Sequence, residues 1–313
     1  MTRIPELSCY TSNLFAYLKP KVPTIRRTVA ESVRLAVRTD LPGGELAFSH
    51  HPRLDVDEQG HRLDYRSAPT WEHARAALLT ELVTTGRVLG CCDTYHLPWS
   101  PSYGVMHAPH WVLLHRQVDG WWFVADHFAS LTPLGHQEPY LGWLSDLQLR
   151  TALTPMGKVA AEVAHRDRHA LGLPVELPPY SDYRWLEFAP ASQVVPAERQ
   201  QGEWLTDLVE ALRHVAGACA NDHGVVAKHV DDLWTASRHF RYRLTVEAEV
   251  GQRDSTSVKR ASTAWEELPR ALRFAAASAA RGRQRNGVVT QAFTQLINTI
   301  LESEAHRSQH NDQ

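Results

Sequence analysis

The stretch HAPHWVLLHRQVDGWWFVAD, residues 107–126, decides how we interpret the fold of this chain. It contains two apolar segments, at about 110–118 and 121–126, which flank Asp119-Gly120, a dipeptide typical of tight hairpin turns. The pattern predicts two antiparallel strands joined by a short turn. His110 begins the first strand and Asp126 ends the second, so the hairpin carries an imidazole at one end and a carboxylate at the other.

Whether His110 and Asp126 share a face depends on the turn. Because side chains alternate along a strand, a two-residue loop places them on opposite faces. A three-residue loop with a bulge restores a shared face and places Leu114 opposite Asp126. In that register the carboxylate can orient the imidazole. The alternative is that His110 is an ordinary strand histidine and Asp126 only ends its strand.

A nucleophile for this pair is present in LSCYTSNLFAYL, residues 7–18, where apolar residues at helical spacing predict a helix that starts at Cys9. A thiol at a helix N-terminus lies at the positive end of the helix dipole, and the unpaired first-turn amides favour the thiolate and can hold an oxyanion. A lone cysteine near a terminus is otherwise a small buried hydrophobic residue. With His110 as the base and Asp126 as its orienter, Cys9 completes a candidate catalytic triad.

Outside the hairpin, the first half of the sequence predicts mixed helices and strands. Ile25, Val29, Val33 and Val37 form a helical stripe, which predicts a helix over residues 24–37. The remaining predictions are a loop with short strands at 40–69, a helix capped by Thr70 and ending at Thr85, a strand at 87–93, and a proline-rich linker at 172–180.

Four apolar helix faces follow between residues 204 and 300, so the second half predicts helices alone. We therefore expect an α+β chain with an antiparallel sheet in its first domain. The expected boundaries are 1–180 for the catalytic domain, 181–305 for an all-α domain and 306–313 for a disordered tail.

Composition limits the function classes. The chain is 43% hydrophobic and has a formal net charge of −2, which is typical of a globular protein and gives no reason to expect nucleic acid or a membrane surface as a partner. The N-terminal residues lack a secretory leader pattern, and no apolar run is long enough to cross a membrane. The four cysteines form no CxxC pair. We expect a cytoplasmic protein with reduced thiols.

The eighteen histidines raise the question of a metal site. His107 and His110 form a His-x-x-His pair in a loop, which is a weak metal signal, and the others near them lack ligand spacing. We expect no metal and no bound cofactor. His107 is also a rival to His110 as the base, but it precedes the strand, whereas His110 begins it.

Five stretches of the sequence resemble the butirosin-biosynthesis acyltransferase family of papain-like cysteine enzymes. Two are the 7–18 and 107–126 stretches above, and three are new. They are GRVLGCCDTYHLPW at 86–99, DDLWTASRHFRYRL at 231–244 and WEELPRALRFAAASAARGR at 265–283. In the first of these, Asp93, Tyr95, Leu97 and Pro98 match an Asp-x-Tyr-x-Leu-Pro element.

The resemblance implies a papain-like domain followed by a helical domain, and acyl transfer through a Cys9 thioester in natural-product (antibiotic) biosynthesis. The donor would be an acyl carrier protein, whose phosphopantetheine arm carries the acyl group, and the acceptor would be a small-molecule amine or hydroxyl. The chain lacks the glutamine that precedes the cysteine in related peptidases. The oxyanion donor is then a backbone amide of Cys9 or Tyr10, or the side chain of Asn13 or Ser8.

Several other residues are candidates for contacts with substrate or partner. Asn13, Asp93, Tyr95 and His107 are expected near the site, although Asp93 could also cap a turn. Trp234 and Trp265 are large enough to line an acyl channel if the helical domain walls a cleft over Cys9, but each could be a core residue. Arg281, Arg283 and Arg285, on a predicted helix, form either a docking patch for an acidic carrier protein or an ordinary solvated face.

Two other functions remain open. A thioesterase, cyclase or peptidase would use the same triad and differ only in what attacks the acyl-enzyme. A non-catalytic module that binds a small molecule or a protein would carry the triad as a vestige.

Overall fold

The computed structural model describes residues 7–190 and 202–311 of the chain. The chain is α+β, with antiparallel sheets and a series of C-terminal helices, and it divides into two compact units. The first, here called the sheet unit, comprises Met1–Arg26 and Arg53–Gln201. The second, the helical unit, comprises Arg27–Pro52 and Gly202–Gln313.

The helices are α1 (Cys9–Leu18), α2 (Ile25–Ser32), α3 (Trp71–Thr85), α4 (Asp146–Ala152), α5 (Ala161–Arg168), α6 (Leu208–Asn221), α7 (His223–Glu249), α8 (Ser255–Ala279) and α9 (Asn286–Asn311). The strands are β1 (Ala36–Arg38), β2 (Ala47–Ser49), β3 (Arg62–Ala68), β4 (Val88–Asp93), β5 (Pro109–Val118), β6 (Trp121–Asp126), β7 (Ser130–Thr132), β8 (Gly135–Gln137), β9 (Tyr140–Ser145), β10 (Tyr183–Ala189) and β11 (Trp204–Leu205). No helix in the described part of the chain is both long and apolar enough to cross a membrane.

The sheet unit is built on a six-stranded antiparallel sheet with the order β3-β10-β4-β5-β6-β9. Side chains of α3 and α4 pack on it with Val112, Leu114 and Trp122 of the central strands. Fully burying an apolar side chain of this size contributes about 1.5–3 kcal/mol, so this cluster anchors the strands that carry the site. Helix α1 contacts β5 and β4, and the ring of Tyr10 lies 4.9 Å from that of Trp111.

Helix α1 begins at Cys9 because Ser8 caps it. The Ser8 hydroxyl accepts a hydrogen bond from the Thr11 amide (3.2 Å), and the Ser8 carbonyl accepts one from the Ser12 amide (2.8 Å). Pro20 and Pro23 follow the end of the helix. The predicted helix at this position is confirmed.

The β5–β6 hairpin has a different register from the predicted one. Val118 pairs with Trp121, so Asp119-Gly120 is a two-residue loop, and both of its residues have positive φ. The bulge lies inside β5, between Leu114 and Arg116, and Leu114 pairs with Val124. The predicted three-residue loop, with Leu114 opposite Asp126, was therefore wrong.

The bulge still has the predicted consequence for the faces of the sheet. One extra residue in β5 reverses the alternation of side chains relative to β6. His110 consequently has the same facing as Leu114, and Asp126 has the same facing as Val124, the partner of Leu114. His110 and Asp126 therefore share a face.

Other boundaries differ from the prediction. Helix α2 ends at Ser32, and Val37 lies in β1, where it pairs with both Phe48 and Leu205, because strand pairing overrides the helical stripe. Strand β10 follows residue 180 but lies between β3 and β4, so the sheet unit extends beyond the expected boundary. Helix α9 continues through the first part of the predicted disordered tail, as far as Asn311.

The helical unit contains α6–α9 and the small sheet β11-β1-β2. The apolar faces predicted for the four helices meet in one core with the side chains of β1 and β2. Trp265, Phe240 and Leu268 lie in this core, and the rings of Phe240 and Trp265 stack at 4.3 Å.

Candidate active site

Cys9, His110 and Asp126 come together in the sheet unit at the N-terminal end of α1. The His110 Nε2–H donates to Asp126 Oδ2 at 2.7 Å, and Cys9 is close enough to the ring to raise the pKa of His110. Since Nε2 is held by the carboxylate, Nδ1 is the ring nitrogen left to face the thiol. His110 and Asp126 are buried, whereas Cys9 is partly exposed and forms no disulfide.

The electrostatics of His110 favour a protonated ring. Burial alone would lower the pKa of His110, but the negative charges of Asp126 and Cys9, and the hydrogen bonds to both, raise it to about 10. The imidazole therefore holds two protons at neutral pH. A positively charged imidazolium next to a thiol favours the thiolate form.

Asp126 accepts five hydrogen bonds from the described residues. The donors are Asn13, Trp99, His110 and Gln137 through their side chains, and Phe128 through its amide. Burial alone would raise the pKa of Asp126, but the charge of His110 and these hydrogen bonds lower it below its ordinary value. The carboxylate stays ionised, and its orientation is fixed from several elements at once.

Asn13 connects α1 to both strands of the hairpin. Its side-chain nitrogen donates to the carbonyls of Cys9 (3.0 Å) and Trp111 (2.8 Å) and to Asp126 Oδ1 (3.2 Å), and its oxygen accepts from the His127 amide (3.0 Å). The side chain is fully buried. Asn13 therefore ties α1 to the hairpin that carries His110 and Asp126, and both polar atoms of its side chain already have protein partners.

The same contacts narrow the candidates for an oxyanion donor. The Asn13 amide is already engaged, and the Ser8 hydroxyl caps α1. The amides of Cys9 and Tyr10 come before the first intrahelical hydrogen bond, which is donated by Ser12. These two amides therefore remain as the candidate donors to an oxyanion beside Cys9.

Asp93, Tyr95 and His107 form a second cluster at the same end of the inner strands, where β4 ends and β5 begins. The Asp93 carboxylate accepts from the amides of Tyr95 (3.0 Å) and Ala108 (3.3 Å) and lies 2.5 Å from His107 Nδ1. The His107 ring stacks on Tyr95 at 4.2 Å. His110, and not its rival His107, contacts Asp126 and Cys9.

The two candidate tryptophans lie in the helical unit. Trp265 is 2% exposed and belongs to the hydrophobic core, as the alternative interpretation expected. Trp234 is partly exposed, and the guanidinium groups of Arg238 (4.9 Å) and Arg273 (5.4 Å) lie over its ring. Cation–π contacts of this kind stabilise the ring where it is.

The three candidate docking arginines are exposed. They lie in the connection between α8 and α9, and not on a helix as predicted, since Gly282 has a φ of 75° that a helix cannot continue through. The three residues are Arg281, Arg283 and Arg285.

Sequence reasoning missed four side chains of the site. Trp99 and Gln137 donate to Asp126, the Phe128 ring meets the His110 ring edge-on at 5.7 Å, and Tyr10 lies beside Cys9. Tyr10 lies within the 7–18 stretch and Trp99 within the 86–99 stretch, both of which carry the family resemblance. Gln137 lies in β8, a three-residue strand with no pattern that points to the site.

No group of three or more histidine, cysteine or acidic side chains within residues 7–190 and 202–311 has an arrangement that could hold a metal ion. Comparisons of the sequence with protein-family models and with curated proteins found no match.

Proposed function

We propose that this chain is a cysteine-dependent acyltransferase with a papain-like catalytic domain, in which Cys9 is the nucleophile, His110 the acid and base, and Asp126 the residue that orients His110. The observation that carries the proposal is the position of His110, between an ionised, buried carboxylate and a partly exposed thiol at a helix N-terminus. This is the arrangement that activates a cysteine for attack on a carbonyl group.

Acylation of the enzyme follows from this geometry. The Cys9 thiolate attacks the carbonyl carbon of a donor thioester, a sulfur–carbon bond forms, and the carbonyl π electrons move onto oxygen. First-turn amides of α1 stabilise the oxyanion. When the adduct collapses, the bond to the donor thiol breaks and the departing sulfur takes a proton from the His110 imidazolium. The products are an acyl-Cys9 thioester, a free thiol and neutral His110.

Transfer to the acceptor reverses these roles. An amine or hydroxyl attacks the acyl-Cys9 carbonyl while neutral His110 takes its proton. Collapse of the second adduct breaks the bond to Cys9 and restores the thiolate beside the imidazolium. Asp126 keeps the ring in position through both half-reactions because its hydrogen bond to Nε2 does not depend on the protonation of Nδ1.

The resemblance to the butirosin-biosynthesis type supports the choice of substrate class. On that basis the donor is an acyl group on the phosphopantetheine arm of an acyl carrier protein, and the acceptor is a small-molecule amine or hydroxyl of a natural product. The exposed arginines Arg281, Arg283 and Arg285 offer positive charge to an acidic carrier protein.

The proposal is tested by incubating the protein with an acyl thioester of N-acetylcysteamine, which carries the end of a pantetheine arm, and recording the intact mass. One acyl group should be added to the wild type and none to Cys9→Ala. Cys91, Cys92 and Cys219 are buried, so a single adduct is expected to map to Cys9. An adduct on another residue, or none, would contradict the proposal.

A hydrolase with the same triad is the second candidate. The partial exposure of Cys9 is the observation that favours it, since water can reach a partly exposed acyl thioester. Adding a primary amine to the isolated acyl-enzyme separates the two. A transferase yields mainly the amide at millimolar amine, whereas a hydrolase yields mainly the free acid.

A further inference from the structure

Another buried carboxylate, that of Asp167, contacts the first turn of α1 through Tyr10. Asp167, near the end of α5, accepts hydrogen bonds from the hydroxyls of Tyr10 (2.5 Å) and Tyr180 (2.8 Å) and from the guanidinium of Arg184 (3.1 Å). Asp167 and Arg184 are both at least nine-tenths buried. A buried ion pair is retained only with well-placed hydrogen bonds. Here those bonds come from α1, from β10 and from the loop before β10.

Tyr10 connects this cluster to the nucleophile. It follows Cys9 directly, its hydroxyl donates to Asp167, and its ring packs against Trp111, the neighbour of His110 in β5. Burial, together with the negative charges of Asp167 and Cys9, raises the pKa of Tyr10 well above its ordinary value. The hydroxyl therefore stays protonated, and Tyr10 is held at both its ring and its polar end.

The backbone of Tyr10 carries one of the two amides that remain for an oxyanion. The Thr11 amide donates to Ser8, and the first intrahelical bond comes from Ser12. Holding the Tyr10 side chain at both ends restrains the backbone that carries its amide beside Cys9. Such a restraint matters because an oxyanion donor acts only when it is aimed at the position where the charge develops.

We propose that Asp167 is a positioning residue that, through Tyr10, holds the oxyanion-binding amides of α1 in place beside Cys9. This inference rests on the proposed acyl transfer. In the acylation step the sulfur–carbon bond forms and the carbonyl electron pair moves onto oxygen, so the negative charge arises where the amides point. Tyr10, Asp167 and Arg184 are here called the clamp. Because Arg184 balances the charge of Asp167, the clamp adds no net charge next to Cys9.

Tyr10→Phe tests the clamp, because it keeps the ring on Trp111 and removes only the hydroxyl. Two reactions of Cys9 are compared in this variant. Acylation by the N-acetylcysteamine thioester passes through an oxyanion. Alkylation by iodoacetamide forms a sulfur–carbon bond and expels iodide from a saturated carbon, so no oxyanion arises. We expect acylation to slow about tenfold, as a small misplacement of catalytic groups does, and alkylation to change less than about twofold.

Tyr180→Phe is the matched control. It removes another hydroxyl from Asp167 but leaves the Tyr10 hydrogen bond in place, so acylation should slow less than in Tyr10→Phe and alkylation should change little. Asp167→Asn should lower acylation more than alkylation as well, because a neutral amide oxygen binds the Tyr10 hydroxyl more weakly than a carboxylate does. Thermal unfolding of each variant reports on the fold.

Three outcomes would overturn the inference. One is acylation and alkylation rates in Tyr10→Phe that both match the wild type. Another is an equal fall in both rates, which would assign the clamp to stability alone. The third is a wild type that is alkylated but never acylated at Cys9, and this result alone would also remove the proposed function.

Discussion

Two aspartate–histidine pairs lie at the same end of the inner strands of the six-stranded sheet, and their surroundings differ. In the Asp126–His110 pair both side chains are buried, five donors surround the carboxylate, and the ring reaches Cys9. In the Asp93–His107 pair the carboxylate is buried, but the His107 side chain is 59% exposed.

The second pair has a sufficient local explanation. Asp93 caps the turn at Thr94–His96 and accepts from Ala108, and His107 stacks on Tyr95. An aspartate that orients a histidine is therefore no sign of catalysis by itself. The thiol that completes the pair, and the shell of donors that keeps the carboxylate ionised, distinguish a catalytic candidate from an ordered turn.

The largest expected effect is the loss of the nucleophile. Cys9→Ala should abolish turnover, and Cys9→Ser should leave only a trace because a hydroxyl is far less ionised than a thiol at neutral pH. Steady-state release of thiol from the N-acetylcysteamine thioester measures both. Circular dichroism should show an unchanged fold, and near-native turnover in Cys9→Ala would refute the mechanism.

Replacing each aspartate by asparagine compares the two pairs in stability. Asp126→Asn turns an amide NH₂ toward buried donors and should lower the free energy of unfolding by about 1–3 kcal/mol. Asp93→Asn should cost about 1 kcal/mol or less, since the exposed His107 can bind water instead. Urea denaturation measures both values. A larger loss for Asp93→Asn would mean that the Asp93–His107 pair contributes more to the free energy of unfolding than the Asp126–His110 pair.

The raised pKa of His110 predicts a pH dependence of stability. A group whose pKa rises on folding stabilises the fold fully below its unfolded pKa of about 6.5 and loses that contribution as the pH passes the folded value, about 10. The difference in unfolding free energy between the wild type and His110→Gln should therefore shrink from pH 6.5 to 10.

The same comparison in a Cys9→Ala background provides the control. Cys9 is one of the groups that raise the pKa of His110, so the shrinkage should be smaller without it. Equal pH dependence in both backgrounds would mean that the thiol and the imidazole are not coupled.

The smallest expected effect concerns the exposed arginines. Reversing the charge at Arg281, Arg283 and Arg285 should weaken turnover with an acyl carrier protein several-fold and spare turnover with the N-acetylcysteamine thioester. Equal loss with both donors would mean that the arginines support the fold. No loss with either would mark an ordinary solvated loop.

The sequence predicted the local elements better than their assembly. Asp119-Gly120 predicts a tight turn because few residues tolerate two positive φ values in succession. The bulge in β5 has no comparable signature, since it depends on how the strand fits its neighbours, and the predicted register was wrong for that reason. Strand β10 was missed because it follows a proline-rich stretch and pairs with strands far away in sequence.

The candidate site shows the same limit. Cys9, His110 and Asp126 could be proposed together because a helix start and the two ends of a hairpin are visible in the sequence. The donors from Trp99 and Gln137 converge on Asp126 through tertiary packing alone. Likewise, nothing in the sequence connects Tyr10 with Asp167, which is 157 residues away.

His110, and not His107, is the acid and base for Cys9 in the proposed mechanism. The most direct measurement is the pre-steady-state release of thiol from the N-acetylcysteamine thioester by the wild type, His110→Ala and His107→Ala, side by side. We predict a burst of one equivalent from the wild type and from His107→Ala, and a rate about 10²–10⁴ times slower from His110→Ala. A normal burst from His110→Ala, or a burst lost only in His107→Ala, would contradict the account.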